Sequence, residues 1–163
     1  MGIVRDLKTI FPPAKSQDPH LEVYVVFTTP ERTRTALQVA NELARGLGAR
    51  LTLLVAQTVP YPLPLDRPAV RADFTERALS QLAGGQDVDT RVNVYLCRDR
   101  DQTVRRELAA DSIVLIGTRA RWLRHAERKL AGLLRRDGHH VILVETNKLQ
   151  PIGPAMARMQ SSC

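Results

Sequence analysis

Five short apolar runs, each separated from the next by a segment of helical periodicity or a proline-rich crossover, constrain this chain more than any other feature. Leu21–Phe27, Ala49–Ala56, Arg91–Cys97, Ser112–Ile116 and Val141–Glu145 are rich in Val, Ile and Leu and have strand length. After the first run, Ala36, Ala40, Leu43 and Leu47, with Leu37 and Ala44 beside them, line one face of a helix. Further helices are expected from about Val70 to Leu82, from Asp101 to Ala109 and from Arg121 to Arg136. The last should turn Leu123, Ala126, Leu130, Leu133 and Leu134 inward. Strands that alternate with helices bury their apolar faces best as a parallel, doubly wound α/β sheet with right-handed crossovers. Periodicity leaves the strand order open.

Local signals punctuate this pattern. Thr28-Thr29-Pro30-Glu31 combines a threonine N-cap, proline at the first helical position and an acid in the first turn. Gly46 and Gly48 stop that helix, and Gly84-Gly85 stop the second. Residues 58–68 hold four prolines and are expected to form a long crossover loop, of a kind that often serves as a lid or binding loop. The organisation expected is an N-terminal extension (1–20), one α/β domain (21–147) and a C-terminal tail (148–163).

Composition removes several classes of function. No apolar run approaches the ~18 residues of a membrane span, and the N-terminus lacks a secretory h-region, so a cytoplasmic protein is expected. Cys97 and Cys163 are too few for a disulfide framework or a zinc site. No nucleophile elbow, P-loop or metalloprotease motif is present, so no catalytic residue is assigned and a non-enzyme is expected. His139 and His140 are adjacent at a strand entry and point to opposite faces, which disfavours a shared metal. Charge is concentrated in one stretch. From residue 119 to 136, seven cations stand against Glu127, a net of +6 out of the chain's +7. This basic helix is either a solvated face or the docking place of a protein partner or acidic ligand; nucleic acid is disfavoured because no stacking surface or reading motif accompanies it.

The candidate site is Asp111-Ser-Ile-Val-Leu-Ile-Gly-Thr-Arg-Ala-Arg121, where an apolar strand runs into a glycine and then a basic segment. In open α/β sheets phosphates are held at such strand ends. Three segments of the chain resemble the universal stress protein family. Val25–Ala40 is similar to its first strand and helix, and Ala44–Val55 to its helix end and second strand. Ala110–Arg119 is similar to its fourth strand and phosphate loop, one residue longer between Asp111 and Gly117 than is usual. The resemblance spans about residues 21–146. It implies a five-stranded adenine nucleotide alpha hydrolase-like fold and a homodimer paired through Val141, Ile142, Leu143, Val144 and Glu145.

For an adenine nucleotide such as ATP, the resemblance places Gly117, Thr118, Arg119 and Arg121 near phosphate, with Thr28, Thr29 and Ala56 towards the nucleoside. The family's own ligand residues are mostly replaced. Thr28 stands for an aspartate and Ala120 for the second loop glycine. Leu130-Ala131 or Glu127-Arg128, depending on the alignment, stand for a Gly-Ser pair. The expectation is therefore a stress-type regulatory or protective protein with no resident cofactor, acting through dimerisation and partner binding. An adenine-nucleotide sensor is the alternative.

Overall fold

The computed structural model describes residues 21–65, 72–84, 88–119 and 125–146, with the side chains of 72–76 left aside. The expected extension and tail lie outside the described residues. The element order is β1 (Glu22–Val26), α1 (Pro30–Leu47), β2 (Arg50–Thr58), α2 (Ala72–Ala83), β3 (Thr90–Cys97), α3 (Arg100–Glu107), β4 (Ile113–Arg119), α4 (His125–Arg136) and β5 (His140–Thr146). All four strand pairings are parallel, in the order β3-β2-β1-β4-β5.

Each face of the sheet has its own core. Val23, Val25, Leu51, Leu53 and Leu115 pack under Ala36, Leu37, Ala40 and Ala44 of α1 and Leu79 of α2. The alternate residues Tyr24, Val26, Leu54, Val114 and Ile116 pack under Val104 of α3 and Leu130, Ala131 and Leu134 of α4. Each fully buried aliphatic side chain contributes about 2 kcal/mol from apolar area removed from water. The alanines at 36, 40 and 44 share one face of α1 and bring its backbone close to the sheet.

Several boundaries differ from the sequence expectations, for identifiable reasons. β4 continues through Gly117, Thr118 and Arg119, because all three pair with Val144, Glu145 and Thr146 of β5. α4 is described from His125, the expected first turn lying outside the described residues, and it buries Leu130, Ala131 and Leu134. Ala126 is exposed and Leu133 half-buried, while Leu123 lies outside the described residues. The sequence of Arg91–Cys97 alternates as a strand with one less buried face would, yet in β3 Val92 to Leu96 are all half-buried, as befits an edge strand with partial cover on both faces. α3 begins at Arg100 because the Asp99 carboxylate accepts from the Gln102 amide at 3.0 Å, an N-cap the helical pattern alone did not reveal. Gly48 adopts the left-handed conformation (φ 62°) that ends α1, whereas Gly46 lies inside the helix. Among the described residues no helix is long and apolar enough to cross a membrane.

Candidate functional site

The strand order reverses between β1 and β4, so the crevice expected to take a ligand opens beyond their carboxyl ends. The chain itself occupies much of it. Thr28, just past β1, donates its backbone N–H to the Thr33 hydroxyl at 3.1 Å and its own hydroxyl to the Gly117 carbonyl at 3.2 Å. Thr29 sits at the N-cap position with an extended backbone but makes no side-chain capping bond, contrary to the capping role read from its position. Thr33, one turn further on, supplies the hydroxyl that satisfies the entry instead.

Gly117 is a residue within β4, not the exit glycine of a phosphate loop. A Cβ there would stand 2.3 Å from the Arg32 carbonyl oxygen and 2.6 Å from its carbon. Its φ is not positive, since Gly48 and Gly138 are the positive-φ glycines among the described residues. The position therefore requires glycine because the first turn of α1 lies on its Cα, and not because the backbone must adopt a left-handed conformation.

The Arg32 side chain makes the second closure. Its Nη1 donates to Glu127 Oε1 at 3.0 Å, and the two side chains are only 21% and 13% exposed. α1 and α4 lie on opposite faces of the sheet, so this ion pair joins them past the strand ends at the switch point. Glu127 is favoured by the amino end of α4, where a carboxylate meets the positive end of the helix dipole. From β3's side, Arg100 Nη2 donates to the Phe27 carbonyl at 3.2 Å. A phosphate entering here would meet the Glu127 carboxylate and an arginine already neutralised by it.

The remaining residues expected at the site are scattered around this clasp. Ala56 lies near the end of β2, half-buried against the α3 and α4 core. Thr118 is fully buried, and among the described residues its hydroxyl has no hydrogen-bond partner. Arg119 is the exposed last residue of β4. Ala120 and Arg121 lie outside the described residues. Arg32, Arg100 and Glu127 were not assigned crevice roles from the sequence. The available signal was that Arg32 and Glu127 carry opposite charges in the first turns of the two helices following β1 and β4.

The proline-rich crossover is anchored where it leaves β2. Arg98, just past β3, donates to the Val59 and Leu63 carbonyls at 2.7 Å each and stacks over the Tyr61 ring at 4.0 Å. At the opposite end of the sheet, Ser112 Oγ lies 3.0 Å from Nδ1 of buried His139, while His140 is exposed. The two histidines thus diverge as their spacing implied. Buried Cys97 directs its thiol to the Gln57 carbonyl at 3.6 Å. Among the described residues no three His, Cys, Asp or Glu side chains converge on a point that could hold a metal.

No family model and no curated protein matches the chain. Among solved structures, a protein from the universal stress protein family of Burkholderia pseudomallei aligns with 77% of this chain and 96% of its own, at 17% identity and a TM-score of 0.49. A universal stress protein in complex with cAMP aligns with 78% of this chain and 98% of its own, at 24% identity and a TM-score of 0.44. The fold assignment stands on the strand order and register of this sheet.

Proposed function

We propose that this protein is a non-catalytic, universal-stress-type regulatory or protective protein that acts by dimerisation and partner binding, without dependence on ATP. One observation carries the reading: the switch-point crevice is closed from within, by the α1 backbone on Gly117 and by the Arg32–Glu127 pair across the strand ends. Glycines in phosphate loops serve to bare backbone amides, and here the glycine's open side is covered by a carbonyl. Calorimetric titration with ATP, ADP and cyclic AMP tests this. No heat at millimolar ligand is expected; micromolar binding overturns the reading.

For dimerisation, the support is the position of β5 at the sheet edge, with Ile142 40% exposed. An apolar edge strand left open is an aggregation hazard, and antiparallel pairing with a second copy would cover it. Light scattering coupled to size exclusion is expected to return twice the chain mass. A strict monomer at high concentration removes this part of the proposal.

A second reading, an adenine-nucleotide sensor, is favoured by one specific observation. The Thr118 hydroxyl is buried at the crevice end of β4 without a hydrogen-bond partner among the described residues, and such groups are ordinarily satisfied. The same titration decides between the two. Under the sensor reading, micromolar binding is lost in Thr118→Val.

A further inference from the structure

α4 reads His125-Ala-Glu-Arg-Lys-Leu-Ala-Gly-Leu-Leu-Arg-Arg136 and carries two cation pairs, Arg128-Lys129 and Arg135-Arg136, seven residues apart. All four residues are exposed, while Leu130, Ala131 and Leu134 face the core. Seven residues are two helical turns, so the pairs lie about 10 Å apart along one side of the helix. The two carboxylates that flank this surface are turned away from it. Glu127 is held by Arg32, and Asp137 by Arg105 at 2.6 and 2.9 Å. Among the described residues no carboxylate pairs with Arg128, Lys129 or Arg136. Between the pairs lies Gly132, with nothing within 4 Å of where a Cβ would stand, so a partner can approach the helix backbone there.

The internal needs of α4 do not explain all of these charges. Cations in a last turn suit the helix dipole and account for Arg135 and Arg136. Arg128 and Lys129 lie at the other end, where the dipole disfavours cations, and they contribute nothing to the core. From this charge arrangement we infer that the outer side of α4 docks an acidic amphipathic helix of a partner protein, one that presents carboxylates at seven-residue spacing. The inference rests on the partner-binding reading above and names the chemistry of the partner.

The character of the surface favours a protein over other polyanions. Arginine forks pair bidentately with carboxylates. Half-buried Leu133, exposed Ala126 and Gly132 lie among the cations and give the surface the mixed floor of a protein interface. Among its described residues α4 has no Phe, Tyr or Trp on which a base would stack. Its fully buried apolar residues face the protein core, which leaves little to insert into a bilayer.

The test uses fluorescence anisotropy with the full chain at low ionic strength. The probe is a labelled alanine-based helix of roughly 20 residues, long enough to be helical, bearing adjacent glutamates every seven residues. The expected result is saturable binding that weakens about tenfold in Arg128→Glu/Lys129→Glu, equivalent to about 1.4 kcal/mol. Arg34→Glu/Arg77→Glu, an equal charge change on α1 and α2, should leave binding unaltered. A peptide of the same composition with the glutamate pairs spaced by five should bind more weakly. Equal binding of both peptides, indifference to the α4 reversal, or tighter binding of a random-sequence DNA duplex each overturns the inference. If the peptide fails while ATP also fails to bind, only this inference falls; if ATP binds at micromolar concentration, the reading beneath it falls.

Discussion

The two ends of the sheet are tied by the same chemistry in different surroundings. At the carboxyl end, Arg32 and Glu127 meet through one hydrogen bond at 3.0 Å, with both side chains half-buried. At the amino end, Arg105 grips Asp137 with two, at 2.6 and 2.9 Å, on the open surface. Geometry alone favours the second pair. Burial reverses the ranking, because exposed pairs are screened and lose side-chain entropy, and most contribute little. Loss of one partner from a half-buried pair, by contrast, leaves a charge that is only partly solvated. The comparison teaches that the clasp at the crevice is the structural element and the staple at the far end an accessory.

The sharpest way to break this view is Gly117→Ala. Its new methyl would overlap the Arg32 carbonyl, which is backbone and cannot swing aside. A loss of about 3 kcal/mol is expected, at the upper end of overpacking effects, read as a shift in the denaturant midpoint. Unchanged stability would mean that α1 does not lie on β4 as described.

Next in size is the clasp. Glu127→Ala should cost about 2 kcal/mol, the scale for a hydrogen bond between charged groups. A double-mutant cycle with Arg32→Ala should show coupling of about 1 kcal/mol. Additive losses would place the two residues out of contact.

A smaller effect appears only in alkali. Burial, and then the nearby charge of Glu107, push the Tyr95 phenol from 10.0 up to about 12. The folded state therefore holds this proton more tightly than the unfolded chain. The associated stability is intact below pH 10.0 and is lost as pH climbs towards about 12. Tyr95→Phe should flatten that part of the stability profile, and an unchanged alkaline slope would count against the burial described.

The smallest effect belongs to the exposed staple. The Arg105 guanidinium holds the Asp137 carboxyl below its ordinary 3.8. Whatever stability this gives is present above that value and fades as pH falls below it. Asp137→Asn should remove only a slight part of the acid-side slope in urea titrations. A loss at neutral pH as large as that of Glu127→Ala would erase the distinction between the two ends.

The alternation of apolar runs and helices carried the fold class, because burying one face of each element forces parallel strands between helical layers. The Pro30 start and the Gly48 stop were legible because they depend on neighbours within one turn. The candidate site was legible only as a location. Gly117 was visible as a glycine after an apolar run, yet its reason, a carbonyl from a residue 85 positions earlier, has no local signature. Arg32 and Glu127 are 95 residues apart and individually look like ordinary helix-surface charges.

Amino-acid order by itself determined the elements, their approximate ends and the concentration of positive charge near α4, since each follows from short-range sterics, periodicity or counting. Tertiary structure alone decided the strand order, the burial of the crevice beneath α1 and the partnering of Arg32 with Glu127. These depend on which distant surfaces the folded sheet brings together.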